Sequence, residues 1–200
     1  MKKIILASAA LALSTSAMAG PKWTYADLGY VVGSSVEEDT DGYGIRGSFG
    51  FADIWHVRGG YSDFEVQGGD DKGGLDVDGF NAYVGVNPAL TENTDFVFEV
   101  GYSDFDLGQN DSADGISLVV GLRSMFTDNL ELNAFVETSS GDIDFGGGSS
   151  EDFTEVRATF GGQYFFTENV GVGVDVSVGG NSSTAAVLGN SANFYARYSF

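Results

Sequence analysis

The chain has 200 residues, a formal net charge of −20 and no cysteine. The negative charge excludes nucleic acid as a partner, because proteins bind phosphate groups mainly through lysine and arginine. The absence of cysteine from the sequence excludes disulfide bonds and thiolate metal sites. The length suits a single domain.

The first element along the chain is an export signal. Two lysines precede an apolar run that closes on small residues ending at Ala19, a layout typical of a cleaved secretory signal peptide. Serine and threonine interrupt the run, and it is shorter than the roughly 20 residues that a membrane-spanning helix needs. We therefore expect residues 1–19 to be removed and residues 20–200 to form one exported domain.

The rest of the sequence alternates apolar and polar residues at every second position, which predicts β-strands and no helix. Glycine and acidic residues separate the alternating segments and predict turns. Ten strands are predicted, and merging the weakest of them, such as the first and the last, with their neighbours would reduce the number to eight. The predicted strands are 23–33, 43–52, 55–66, 77–87, 95–106, 115–126, 130–139, 153–166, 170–179 and 190–200.

Short repeated motifs pair these strands into hairpins. FTDN at 126–129, FTEN at 166–169 and the related LTEN at 90–93 lie between consecutive strands and predict one kind of tight turn. GYSDFE at 60–65 recurs as GYSDFD at 101–106, each time near the end of the second strand of a hairpin. The repeats indicate antiparallel strands in up-and-down order.

The connections differ in length at the two ends of the predicted hairpins. The turns near residues 53, 88, 127 and 167 are mostly short, whereas the other connections are longer, polar and mostly acidic. This asymmetry is typical of an outer-membrane barrel, in which both chain ends lie on the short-turn, periplasmic side. The longer segments are GSSVEEDTDG, QGGDDKGGLD, LGQNDSADG, SGDIDFGGGSSED and GNSSTAAVLG.

One face of each predicted strand is apolar, as at Leu28, Val57 and Val100. A soluble β-sandwich would bury this face, and a membrane barrel would turn it to lipid. The opposite face favours the barrel because it is rich in glycine, which makes room for long side chains in a narrow interior. It also holds five arginines and five acids, which predict a paired charge network in the lumen. The predicted network is Arg46, Arg58, Glu99, Arg123, Glu131, Glu137, Glu155, Arg157, Asp175 and Arg197.

We therefore predict an all-β fold, a transmembrane antiparallel up-and-down β-barrel of ten strands (eight in the alternative), located in the outer membrane. A secreted acidic β-sandwich is the soluble alternative. Aromatic residues near the predicted strand ends are typical of two interfacial girdles. Those near the short turns are Trp23, Phe51, Trp55, Phe126, Phe166 and Phe200, and those near the loops are Tyr30, Tyr43, Tyr61, Phe80 and Tyr102.

The chain ends in NFYARYSF, where Phe194, Tyr198 and Phe200 share one face of the last predicted strand. The export signal, the hairpin repeat and this strand resemble the small outer-membrane β-barrel proteins of Gram-negative bacteria, the group that includes the OmpA transmembrane domain, OmpX and opacity-type proteins. The resemblance implies that the barrel assembly machinery reads Tyr198 and Phe200 as an assembly signal. It also implies outer-membrane lipid and lipopolysaccharide as partners, and we expect a monomer.

The chain has a single histidine, His56. It follows a short predicted turn, so we expect it at the periplasmic end of the lumen, beside Arg58. The sequence places no serine or carboxylate as its catalytic partner, so we predict no catalytic residue and interpret His56 as a hydrogen-bonded interior residue. An outer-membrane hydrolase remains an alternative, in which His56→Ala would abolish an activity without changing folding.

Acidic residues in the predicted loops supply the oxygen ligands that calcium and magnesium prefer. Their spacing does not match an EF-hand, so we predict no cofactor and keep weak calcium or magnesium binding as a hypothesis. The alternative is a solvated rim of mutually repelling charges. The candidate ligands are Glu37, Glu38, Asp39, Asp41, Asp70, Asp71, Asp76 and Asp78.

The predicted role is structural or surface-interacting, through acidic extracellular loops. A small passive channel for ions or small solutes is the alternative, because ten strands enclose more space than eight. Tyr83, Phe135 and Tyr195 lie on the predicted lumen face together with the charged pairs. We therefore expect a closed or very narrow lumen, which a steady, large single-channel conductance would contradict.

Overall fold

The computed structural model describes residues 20–34, 39–67, 75–108, 110–181 and 190–200, and the predicted signal lies outside them. No helix in these ranges is long and apolar enough to cross a membrane. The strands are β1 (Tyr25–Ser34), β2 (Asp39–Phe51), β3 (Trp55–Gln67), β4 (Leu75–Val86), β5 (Ala89–Thr91), β6 (Thr94–Gly108), β7 (Asp111–Thr127), β8 (Leu130–Phe145), β9 (Ser149–Phe165), β10 (Val170–Asn181) and β11 (Asn190–Ser199).

The strands close into a ring. All strand pairs are antiparallel, and consecutive strands pair except β4 and β5. Strand β4 pairs instead with β6, and β1 pairs with β11. Strand β5 contacts only β6, so ten strands form the wall of the barrel. The prediction of a ten-stranded up-and-down barrel is confirmed, and the eight-stranded alternative is wrong.

Closure leaves no wall strand with an unpaired edge. The β1–β11 junction runs from Tyr25 opposite Ser199 to Ser34 opposite Asn190. Ring closure satisfies backbone hydrogen bonds within the sheet, which is the condition for placing strands in lipid.

The outer surface of the barrel is apolar. Leu28 is 63% exposed, Ile116 is 66% exposed and Phe160 is 61% exposed, whereas the lumen-facing side chains of His56 and Val97 are fully buried. The face predicted to contact lipid therefore lies outside. A β-sandwich would bury this face, so the sandwich alternative is wrong.

Two of the predicted loops are wrong, because strands continue through them. Strand β6 ends at Gly108 and β7 begins at Asp111, and β8 ends at Phe145 before β9 begins at Ser149. Gly148 has a φ of +84° in the second of these turns, a conformation that glycine adopts without strain. We call this end of the barrel the loop rim and the opposite end, with the turns at 52–54, 92–93, 128–129 and 166–169, the turn rim.

The strand extensions were missed because their polarity is reversed. Ala113 and Ile143 are buried inside, whereas Asp114 and Asp142 face outward. The alternation at every second residue continues, but here acidic residues occupy the outer face and apolar residues the inner face. The sequence prediction assumed an apolar outer face, so it assigned the residues of the strand extensions to loops.

Candidate functional site

The lumen near the turn rim is crossed by ion pairs, because every second residue of each strand points inward. Asp27 on β1 accepts hydrogen bonds from Arg197 Nε to Oδ1 at 2.7 Å and from Arg46 Nε to Oδ2 at 2.8 Å. Arg46 also lies 3.4 Å from Asp175 on β10. Asp27 thus joins two arginines. The predicted charge network did not include Asp27. Its position between the outward residues Ala26 and Leu28 would have identified it as an inward-facing acid.

A second group of contacts surrounds Glu99 on β6. Arg58 donates to both carboxylate oxygens of Glu99, and its guanidinium lies 4.1 Å from the centre of the Tyr83 ring. Nε2 of His56 lies 2.8 Å from Glu99 Oε1. Charge-assisted hydrogen bonds of this kind fix side-chain orientation inside a protein, so these side chains form a rigid partition across part of the lumen.

Both ring nitrogens of His56 are engaged. Nδ1 lies 2.9 Å from the side-chain amide of Asn87. Both ends of the amide are satisfied when its nitrogen donates to Nδ1 and its oxygen shares the single Trp23 indole hydrogen with Asp95. In that arrangement the imidazole proton lies on Nε2 and is donated to Glu99. No serine takes part in these contacts, which are those of a hydrogen-bonded interior histidine.

A third pair lies between β7 and β8. Arg123 donates to both oxygens of Glu131, at 2.9 and 3.0 Å. Arg197 Nη1 approaches the same carboxylate at 4.0 Å from the other side of the lumen. The contact from β11 to β8 bridges strands that are not neighbours in the ring, so it crosses the interior.

The remaining predicted residues lie higher, towards the loop rim. Arg157 donates to Glu155 at 2.7 Å, and Tyr83 donates its hydroxyl hydrogen to Glu137 at 3.0 Å. All ten residues of the predicted network face the lumen, and each of the five arginines lies within 4.0 Å of an acid. Among the described residues, Glu137 is the one member of the five predicted acids without an ion pair.

Residues 20–24, which we call the N-terminal strap, cross the mouth at the turn rim. Trp23 stacks on His56 with ring centroids 4.2 Å apart and donates its indole hydrogen to Asp95 at 2.7 Å. Arg123, on the far wall, lies over the same indole and donates to the Lys22 carbonyl at 3.2 Å. The prediction that Trp23 belongs to an outer aromatic girdle is therefore wrong, because the chain turns inward before β1 begins.

An apolar cluster occupies the lumen at the loop rim. Its buried members are Phe64, Val77, Leu107, Ala113 and Ile143, and Val66, Phe105, Phe145 and Phe153 pack against them. Sequence reasoning missed this cluster, because several of its members lie in the strand extensions with reversed polarity.

A cavity of about 190 Å³, which we call the loop-rim cavity, lies between the apolar cluster and the charged partition. Phe64, Phe105, Ile143 and Phe153 line its apolar part, and Tyr83, Glu137, Glu155 and Arg157 line its polar part. A second cavity, of about 280 Å³, lies among the ion pairs. Tyr83, Glu137 and Arg157 line both cavities, so the two adjoin within the lumen.

Residues 5–145, more than half of the chain, match the family model described as the outer membrane protein beta-barrel domain. The chain belongs to this family of outer-membrane β-barrels. The match accounts for the apolar outer surface and the closed ring, and the protein is located in the outer membrane.

Several solved outer-membrane protein structures are similar to this chain. The KdgM porin in complex with disordered oligogalacturonate is 11% identical with a TM-score of 0.45, covering 88% of this chain and 99% of that chain. The NanC porin is 12% identical with a TM-score of 0.48, covering 88% and 98%. OmpT of Vibrio cholerae is 16% identical with a TM-score of 0.42, and the match covers 82% of this chain but only 57% of that protein. No curated protein sequence matches this chain.

The acidic candidates for metal binding are divided between described and undescribed parts of this outer-membrane β-barrel. Glu37, Glu38, Asp70 and Asp71 lie outside the described residues, whereas Asp39, Asp41, Asp76 and Asp78 lie on β2 and β4. Tyr30 donates to Asp41 at 2.8 Å and Tyr61 donates to Asp78 at 3.0 Å. Across the described ranges, no three acidic or histidine side chains are placed to hold a metal ion.

The two predicted assembly residues lie at the end of the ring junction. Tyr198 is exposed on the outer face of β11, and its ring centroid lies 4.9 Å from that of Phe200. The backbone nitrogen of Phe200 donates to the Thr24 carbonyl at 2.9 Å. The end of the last strand of this outer-membrane β-barrel is thereby fastened to the N-terminal strap.

Proposed function

We propose that this outer-membrane β-barrel has a closed lumen and a structural or surface-interaction role. The observation that carries the proposal is the set of ion pairs across the interior, above all Arg46 of β2 with Asp175 of β10 and Arg197 of β11 with Glu131 of β8. A buried pair is costly to separate because each charge would lose its partner. A lumen held by such pairs resists opening.

The proposed closure has two further supports, one at each rim. The N-terminal strap places the Trp23 indole against His56 and Asp95 at the turn rim. The apolar cluster packs Phe64 and Phe105 with ring centroids 6.5 Å apart inside the loop rim. Apolar constrictions hinder ion passage because they exclude water.

We propose that the loop rim faces the outside of the cell and that both chain ends face the periplasm. The hydrogen bond between Phe200 and Thr24 lies at the turn rim. Two connections at the loop rim are also short, but β6, β7, β8 and β9 extend beyond the apolar zone there, and the side with the larger extensions is extracellular in barrels of this kind. Asp63, Asp104 and Asp142 then project outward beyond the apolar zone. An acidic extracellular surface, in contact with lipid and lipopolysaccharide, would carry the interaction role.

We further propose that the protein is a monomer without enzymatic activity, and that the barrel assembly machinery recognises Tyr198 and Phe200 during insertion. The absence of activity is supported by His56, whose ring nitrogens face Asn87 and Glu99 rather than a nucleophile. His56→Ala with retained folding and a lost hydrolytic activity would contradict this part of the proposal.

The experiment is membrane fractionation followed by electrophoresis with and without boiling, and then single-channel recording in a planar bilayer. We expect recovery in the outer membrane, a heat-dependent shift in mobility and no steady large conductance. A conducting barrel would reject the closed lumen while leaving the fold intact. A protein recovered in the soluble fraction would reject the membrane location itself.

A small passive channel is the second candidate, and the two lumen cavities favour it. It requires a water path past the ion pairs and the N-terminal strap. Deleting residues 20–24 distinguishes the candidates: a channel already open at its other constrictions would conduct after the deletion, whereas a lumen closed by the ion pairs would not.

A further inference from the structure

Glu137 stands apart from the other predicted acids of the lumen. Each of those acids lies near an arginine, whereas no described arginine or lysine nitrogen lies within 4.0 Å of Glu137. Its one recorded partner in the described part of the chain is the Tyr83 hydroxyl, which donates to Oε1 at 3.0 Å. Arg157 is the direct cross-strand neighbour of Glu137, but its guanidinium pairs with Glu155. Among the described contacts, Oε2 of Glu137 is therefore the oxygen that a ligand can approach.

The surroundings of Glu137 are unusual for a barrel lumen. The loop-rim cavity places the carboxylate opposite an apolar part that includes Phe64, Phe105 and Phe153. The lumen of a water-filled barrel is normally polar, so apolar side chains here serve a different purpose. They pack together, and Ile143 is only 3% exposed, yet a cavity of about 190 Å³ remains beneath them.

We propose that the loop-rim cavity binds small organic cations with an aromatic or similarly bulky apolar body. The ammonium group pairs with Glu137, and the apolar body packs against Phe105 and Phe153. A carboxylate combined with an apolar, aromatic wall is the chemistry that recognises such a cation, because the pair is charge-assisted and the body leaves water.

Ligands of other charge fit the cavity less well. An anion would meet the carboxylates of Glu137 and Glu155, and the guanidinium of Arg157 is already held by Glu155 at 2.7 Å. A neutral molecule would leave Glu137 with the Tyr83 hydroxyl but no described cation within 4.0 Å, while displacing water from the carboxylate, which is costly. A bare metal ion would lack ligands, because the described residues supply no cluster of three acids or histidines.

The test uses three probes of nearly equal shape and different charge: 2-phenylethylamine in its ammonium form, neutral 2-phenylethanol and phenylacetate. The full-length mature barrel is placed in phosphatidylcholine nanodiscs, and binding heat is measured against empty nanodiscs to remove partition into lipid. We expect saturable binding of one ammonium probe per barrel, at least tenfold weaker binding of the alcohol and none of phenylacetate.

Glu137→Gln removes the charge while keeping an oxygen for the Tyr83 hydroxyl. We expect at least a tenfold loss of affinity for the ammonium probe and little change for the alcohol. Glu168→Gln is the matched control, because it removes the same charge on the turn at the opposite rim, and it should bind like the parent. Retention of the heat-dependent mobility shift shows that each variant is folded.

A second readout locates the ligand. Methyl signals of Ile143 and Leu107, which belong to the apolar cluster, should shift on addition of the ammonium probe and not on addition of phenylacetate. Equal affinity for the ammonium and the alcohol, unchanged binding by Glu137→Gln, or no binding by a folded barrel would each overturn the proposal. Binding is measured without current, so the result is independent of whether the lumen conducts.

Discussion

The indole of Trp23 lies on the imidazole of His56, with ring centroids 4.2 Å apart and ring planes inclined by 29°. Trp23 belongs to the N-terminal strap and His56 to β3, on the wall of the barrel. The same indole donates to Asp95 on β6. The first residues described in the chain are thereby fixed to more than one wall strand, and they cover the buried histidine.

Trp23→Ala should expose His56 to chemical modification. Removing the stacked ring opens the mouth at the turn rim, and we expect a loss of about 1–3 kcal/mol in stability. The measurement is the rate of diethylpyrocarbonate reaction, which is simple to assign because the chain has one histidine. Trp55→Ala is the control, because Trp55 faces outward, and it should leave the rate unchanged. Equal rates for the two variants would contradict the covering role of the strap.

Asp27→Asn should destabilise the barrel strongly. Arg46 and Arg197 both donate to this carboxylate, so the change leaves two guanidinium groups short of an anionic partner. We expect the free energy of unfolding to fall by an amount on the order of 3 kcal/mol, as measured by urea unfolding in lipid vesicles. Asp53→Asn, at an exposed turn, should change stability by less than about 0.5 kcal/mol. Equal stability of the two variants would show that Asp27 does not hold the arginines.

The strand extension at the loop rim should loosen as pH rises. Asp142 and Asp152 are direct cross-strand neighbours beyond the apolar zone, and the hydrogen bond with Asp152 raises the pKa of Asp142 above its usual 3.8. A raised pKa in the folded state means that the contribution to stability is present below the usual pKa and is lost as pH rises through the raised value. Above that value the two carboxylates repel each other.

Amide hydrogen exchange of residues 141–153 tests this dependence. After correction for intrinsic rates, we expect slower exchange at pH 4 than at pH 7. Asp152→Asn should remove most of the difference, because an amide neither shares the proton nor repels the remaining carboxylate. A pH dependence that persists in Asp152→Asn would mean that another group controls this part of the barrel.

Gly121→Ala should disturb packing in the lumen. Gly121 on β7 lies opposite Phe135 on β8, and an added Cβ would lie 2.3 Å from the Phe135 ring and from the Ala134 backbone oxygen. The backbone cannot move aside as a side chain can, so we expect the free energy of unfolding to fall by about 1–3 kcal/mol. Gly47→Ala is the control, because its nearest neighbour would lie at 3.7 Å. A Gly121 variant as stable as the Gly47 variant would contradict close packing here. The stability of both variants is measured by thermal unfolding of the folded, unboiled protein.

The sequence predicted the strands of the barrel wall better than the side-chain contacts inside the lumen. Ten alternating segments and an apolar outer face follow from local patterning, since lipid contact imposes the same rule on every strand. The inward position of Arg46 and Glu99 follows from the same alternation. The join made by Asp27 depends instead on register, because Arg46 and Arg197 lie directly opposite it on the two neighbouring strands. Alternation gives the face of a residue and not its register.

Two other features escaped prediction for a different reason. Trp23 was assigned to the outer girdle because it lies near the end of a predicted strand, although alternation from Leu28 and Ala26 places an odd-numbered residue inside. Ala113 and Ile143 were read as loop residues because the polarity of the strands reverses outside the apolar zone. For Ala113 and Ile143, a rule valid within the membrane was applied beyond its boundary.

The junction between β1 and β11 is equivalent to the other junctions of the ring. Tyr25 lies opposite Ser199, and the Phe200 nitrogen donates to the Thr24 carbonyl at 2.9 Å. The position of the chain ends is therefore a matter of connectivity and not of hydrogen bonding. A circular permutant that joins residue 200 to residue 20 by a linker, and opens at the turn 52–54, should therefore retain all ten strand pairings of the wall.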